Sequence, residues 1–178
     1  AVVFASVVSY PYARISVSRP ELVAGELDDE QANALLQALL KNVYRAFDFH
    51  QEQDVYDKLA VSVQGDLLAD LYLQNRQSFA IQQAGGAQAK IKEVDVQQAR
   101  ATRLNDRDGL AYAIAGRWTA TGSVGHWGHL HTRQNLYDAV LTVESIDGRW
   151  KITALELIEE QRLDATASPR PQAGEAGT

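Results

Sequence analysis

The sequence predicts an α+β domain, with three helices first and a strongly bent, four-stranded antiparallel sheet after them. Three observations predict it. Apolar residues recur at three- and four-residue steps from Ala32 to Phe47, and again from Val55 to Phe79. Gly85-Gly86 then ends the helical pattern, and the apolar period beyond it is two. Turn signals at Asn105 to Gly109 and at Asp147-Gly148 divide the second half into strands.

The first helix has the clearest signature. Asp28 can accept from the open N–H groups of the first turn, and Gln31 can reach back, as in a capping box. Asp29 and Glu30 suit the positive end of the helix dipole. Ala32, Leu35, Leu36, Leu39, Leu40, Val43 and Phe47 make one stripe, with Lys41, Asn42 and Arg45 opposite, to about Phe49. A second helix is predicted from about Glu52 to Val63, with Val55, Leu59, Ala60 and Val63 inward, and Gly65 breaking it. A third is predicted over Asp66 to Gln83, with Leu67, Leu68, Leu71, Tyr72 and Phe79 inward.

The first strand runs from about Ala89 to Leu104. Its inward residues slip from Ile91 to Val94 and Val96, then to Ala99 and Ala101, which predicts bulges and hence bending. The second carries Leu110, Tyr112, Ile114 and Trp118 on one face, with Gly116 in the same row as a candidate bend point. A Gly-rich passage, Gly122 to Gly128, separates it from a third strand with Tyr137, Ala139, Leu141 and Val143 inward. The last strand, Trp150 to about Ile158, begins with Trp150 and Ile152 inward and shifts to Leu155 and Leu157. Residues 164–178 turn to Ala, Ser, Pro and Gly and read as a disordered tail.

The chain has 178 residues, the size of one domain with tails. The predicted organisation is an N-terminal arm over 1–27, a domain over 28–163 and the tail. A net charge of -6 without a local basic run argues against nucleic-acid binding. The absence of Cys excludes disulfides and thiolate chemistry. Met is absent too, including at position 1, so the chain is expected to be cut from a longer protein or processed. Ala1 to Tyr10 is mostly apolar but short of the roughly 20 residues that span a bilayer. It reads either as the end of a membrane segment, which would tether the domain outside the cytoplasm, or as a buried strand. Tyr12 to Arg19 alternates, with Ile15 and Val17 on one face, as a short strand or extended arm.

Three helices followed by four antiparallel strands, the stripe Ala32 to Phe47, the segment Val55 to Ala60, and the run Asp147 to Glu160 with its Gly-x-Trp-Lys-Ile pattern resemble the NTF2-like, or SnoaL-like, superfamily over about Asp28 to Arg162. The resemblance implies a cone-shaped sheet around the long helix, an open-ended pocket between them, and dimerisation through the sheet. It implies no single activity, since the superfamily holds enzymes, transport adaptors and assembly domains. None of its catalytic patterns matches this chain residue by residue. The expected function is therefore a non-catalytic binding or assembly module of a larger, membrane-associated bacterial protein, with the rest of that protein and a second copy of the chain as partners. A small-molecule enzyme using a His or Asp in the cone is the first alternative.

The most unusual feature is the run Gly125 to Arg133, with His126, His129 and His131. In a strand beginning near His129, odd positions place His129, His131, Arg133 and Tyr137 in one row. Imidazoles two apart on a strand can chelate Zn, Ni or Cu, with His126 as a third ligand from the preceding turn. The same row, with Trp118, can instead line a ligand pocket in which Arg133 holds an anion. The structural alternative has the histidines bonding to backbone and Arg133 pairing with Asp138, Glu144 or a helix carboxylate. Trp118, Trp127 and Trp150 also suit the core or a dimer interface. A second cluster, Tyr44, Asp48, His50, Asp54, Tyr56 and Asp57, falls where polar residues crowd helix ends. Glu156, Glu159 and Glu160 read as a solvated strand end.

Overall fold

A computed structural model describes residues 26–49, 51–83, 88–126 and 129–163. Its elements are α1 (Asp29–Ala46), α2 (Glu52–Leu59), α3 (Asp66–Gln83), β1 (Gln88–Arg103), β2 (Ala111–His126), β3 (His129–Ile146) and β4 (Arg149–Leu163). The strands form one antiparallel sheet in the order β1-β2-β3-β4. The predicted α+β class and element order hold. The arm up to residue 25, the Gly85-Gly86 stop and the tail lie outside the described residues, as do His50 and Trp127.

The capping box forms as predicted: Gln31 N–H donates to Asp28 Oδ1 at 2.7 Å, and Asp28 N–H donates to Gln31 Oε1 at 3.2 Å. The α1 stripe is the spine of the core, with Ala32, Leu36, Leu39, Leu40, Val43 and Ala46 buried. Leu35 and Phe47 pack against it. The sheet contributes Tyr112, Ile114, Trp118, Ala139, Leu141, Val143 and Ile152. One polar contact of α1 is structural. The Gln37 amide donates to Val94 O at 2.7 Å and accepts from Val96 N–H at 2.8 Å. It thus imitates a neighbouring strand along the edge strand β1, satisfying groups that would otherwise invite another chain.

The second helix stops four residues earlier than its apolar pattern predicts. Ser62 and Gln64 bond instead to β4: Ile152 N–H donates to Ser62 O at 2.8 Å, and Gln64 N–H donates to Ile152 O at 3.0 Å. Val63 is thereby buried by a parallel bridge to Ile152 rather than by a helical turn. Gly65, at φ 71°, makes the turn into α3.

Both predicted slips in β1 are present, as register shifts between Ile91 and Glu93 and between Val96 and Gln98. The predicted shift in β4 is present too, where Thr142 pairs with Ala154 and Val143 with Ile152. Asp147 at φ 50° and Gly148 at φ 73° form the β3–β4 turn, the conformation a two-residue hairpin of this sequence favours.

Two expectations are corrected, and Gly116 gains a second role. Gly122 to His126 continue β2 as strand, up to the pair His126↔His129, so His126 is not in a turn. Gly122 is required there because a Cβ would lie 2.6 Å from Lys90 O, so β1 and β2 meet at a distance only glycine allows. At Gly116 a Cβ would collide with Leu36 Cδ2, so the glycine makes room for α1. Finally, β4 runs on to Leu163, with a second shift beyond the predicted one: Asp138 pairs with Glu159 and Ala139 with Leu157, leaving Ile158 without a counterpart.

Candidate functional site

Directly paired residues in an antiparallel sheet share a face. The register therefore defines the row that faces α1: Tyr112, Ile114, Gly116, Trp118, Ala120 and Gly122 on β2, opposite Val143, Leu141, Ala139, Tyr137, Asn135 and Arg133 on β3. Trp118, Tyr137 and Arg133 share one row, as the alternation predicts. The backbone register continues that row through positions 131, 129 and 126. The side chains of His126, His129 and His131 lie outside the described residues, and so does their proposed ligation. Among the described residues no group of three or more His, Asp or Glu could hold a metal ion.

The lower half of this row is apolar and the upper half is a polar network. Trp118 stacks on Tyr137 with ring centroids 5.6 Å apart, and its Nε1–H donates to Tyr44 Oη at 3.3 Å. Asn135, buried, is the hub. Its Nδ2 donates to Tyr137 Oη at 3.1 Å and to Glu160 Oε1 at 2.5 Å, while its Oδ1 accepts from Arg133 Nε at 3.1 Å.

Three members of this network were not singled out for it in the sequence. Tyr44 leaves the second cluster to point at the sheet. Asn135 has the right parity but no chemistry that draws notice. Glu160 arrives through the bulge at Ile158: a regular strand would set Glu159 opposite Tyr137, and the extra residue sets Glu160 there. Glu160 is exposed, as predicted for this strand end, and its carboxylate nonetheless reaches the network through Asn135. The pairing expected for Arg133 is corrected as well. Asp138 belongs to Arg117, through Nε–Oδ1 at 2.8 Å and Nη2–Oδ2 at 2.9 Å, and this fork holds the Asp138 carboxyl below its ordinary range. Glu144 lies 3.6 Å from Arg107 Nη1 and accepts from Thr153 Oγ1 at 2.8 Å.

The second predicted cluster is dispersed. Asp48 lies 3.7 Å from Lys90 Nζ, Tyr56 meets Tyr72 edge-on at 5.5 Å, and Asp54 and Asp57 are exposed. Trp150 packs on Tyr112 at 5.8 Å, as a core residue.

Burial pushes the Tyr44 phenol from 10.0 up to about 12, against the pull of the Trp118 hydrogen bond. Tyr137 is raised too, by burial first; the Asn135 bond opposes this and the Glu160 charge adds to it. Both therefore stay protonated at neutral pH. Beside the network a recess of about 40 Å³ opens between Lys90, Ile91, Ala120, Gly122, Ser123, Arg133, Asn135 and Tyr137. Drug-sized ligands occupy roughly 300–1,000 Å³, so this recess admits a few atoms only.

No family model and no curated protein matches the chain. Fourteen chains of solved structures do. Among them is the intermembrane space region of the chloroplast protein ARC6, with a TM-score of 0.49 and 15% identity, covering 75% of this chain and 98% of that one.

Proposed function

We propose that the chain is a non-catalytic binding or assembly module, its sheet closing around α1 as an NTF2-like cone, within a larger membrane-associated bacterial protein. The observation that carries the assembly reading is the far half of β4. Leu155 and Leu157 pair with Leu141 and Ala139 on the helix-facing side, yet they are 39% and 49% exposed, and the bulged Ile158 is 66% exposed. The helices cover the sheet as far as Ile152 and leave this edge-strand strip bare. An apolar strip on an edge strand favours pairing with another chain, and the occupant proposed is a second copy. The membrane and bacterial parts rest on the apolar run Ala1 to Tyr10 and on the sequence resemblance; no helix among the described residues is long and apolar enough to cross a membrane.

Sedimentation equilibrium of the chain over a wide concentration range tests the assembly. Dimers are expected, and Leu157→Lys/Ile158→Lys should return the chain to a monomer that still unfolds in one cooperative transition, its melting temperature lowered only by the lost dimerisation. A wild-type chain that stays monomeric at about millimolar concentration would sink the reading.

The enzyme alternative has less support. General acid–base catalysis works best with a group whose pKa lies near the working pH. The two tyrosines of the network are pushed away from neutrality. Metal handling remains a second reading because the register sets positions 126, 129 and 131 in one row. Calorimetric titration with Zn, Ni and Cu should then show saturable binding that His129→Ala/His131→Ala abolishes; heat that is the same in both proteins would dismiss it.

A further inference from the structure

The recess owes its existence to Gly122. In register, Gly122 sits between Ile91 on β1 and Arg133 on β3. Any side chain at 122 would fill the space between them. Its inner lining is apolar or neutral: Ile91, Ala120, Gly122 and the Tyr137 ring, with the buried Ser123 beside them. Its rim carries the exposed side chain of Arg133, and the Lys90 backbone closes it on the β1 side. Asn135 takes the Arg133 Nε–H. A guanidinium has five N–H donors in a planar fork, so donors remain for a ligand. The nearest opposing charge in the network, Glu160, lies across Asn135, whose amide it accepts from.

An apolar hollow a few atoms deep, with a guanidinium at its rim, matches one ligand chemistry. We propose that the recess binds a short-chain carboxylate, its carbon tail against Ile91, Ala120 and Tyr137 and its carboxylate on the Arg133 fork. The planar fork of Arg fits a carboxylate with two parallel hydrogen bonds, which Lys cannot supply. The ligand is either a free small acid or the terminal carboxylate of a peptide that ends in a small residue. This site is separate from the β4 strip and does not depend on its role in assembly.

The test is a titration of the isotopically labelled chain with propionate, followed through the Gly122 amide and the Arg133 Nε–H by NMR. Propionate should shift both saturably, with a midpoint in the millimolar range, on the order expected for so few contact atoms. Arg133→Gln should weaken binding at least about tenfold; since the side chain is exposed, the fold should survive, which an unchanged melting curve checks. Ile91→Phe, which fills the hollow, should block propionate while leaving the rim intact. Propionamide, of the same shape without the charge, should not saturate. Hexanoate should bind more weakly than propionate because the hollow is short. N-acetylalanine distinguishes the sources: tighter binding than propionate assigns a peptide terminus, weaker binding a free acid. Equal shifts with propionamide, full binding by Arg133→Gln, or no saturation up to about 100 mM propionate would each overturn the site.

Discussion

Leu36→Ala should lower the unfolding free energy by about 2–5 kcal/mol, the range for deleting a fully buried leucine. Leu36 is fully buried, and its Cδ2 occupies the place that a Cβ at position 116 would take. Gly116→Ala alone should therefore overpack the helix–sheet contact and cost about 1–3 kcal/mol. The informative measurement is the double variant. Once Leu36 is shortened, the new methyl at 116 meets space rather than a side chain, and it fills part of the cavity. Its cost should fall close to zero, giving a coupling of about 1–3 kcal/mol, within the range seen for residues in contact. Urea denaturation of the four proteins, compared at constant m-value, reads this directly. An unchanged cost of Gly116→Ala in both backgrounds would mean that the glycine serves the strand's own geometry, as the sequence suggested, and not the approach of α1.

That contrast shows what the sequence can and cannot carry. A glycine inside a strand announces an irregularity but not its cause; Gly116 needs the position of α1 to be explained, and Gly122 needs that of Lys90. The β1 bulges were legible because Ile91, Val94, Val96, Ala99 and Ala101 are apolar or small on one face only, so each slip shows in the pattern. The Ile158 bulge was not, because the inner residues beyond it are Glu160 and Arg162, which no hydrophobic pattern reveals. The end of α2 was hidden for the opposite reason: Val63 suits a helical stripe and a bridge to Ile152 equally well.

The candidate site divides along the same line. Arg133, Tyr137 and Trp118 share a row because strand parity is a local property, readable without tertiary structure. Asn135 shares that parity, yet its role as hub exists only when Tyr137 and Glu160 arrive on either side. Tyr44 belongs to a helix whose rotation over the sheet is fixed by packing. The histidine run drew attention through composition, whereas the described polar network is built from residues of ordinary types.

Alkaline pH should destabilise this protein through Tyr44 more than through an exposed tyrosine. In the native state burial raises its phenol to about 12, against 10.0 for a free side chain. Below pH 10 both folded and unfolded chains hold the proton and the contribution is fully present. Between about 10 and 12 the unfolded chain ionises while the native chain does not. The contribution is therefore lost as pH rises through that window, by about 3 kcal/mol at about 1.4 kcal/mol per unit. Tyr137, also raised, acts in the same direction. Tyr44→Phe isolates the effect. At neutral pH it should cost about 1–3 kcal/mol, since the Trp118 Nε1–H loses its acceptor in a part-buried setting. It should also remove the Tyr44 share of the alkaline loss, leaving that of Tyr137. The wild-type advantage should then shrink steadily from about pH 10 upward and invert near pH 12. Urea unfolding of both proteins at several pH values measures it, because every other titrating group is common to the pair. Parallel stability curves across the window would mean that the phenol ionises as readily in the fold as outside it, and that water reaches Tyr44 where the helix–sheet contact should exclude it.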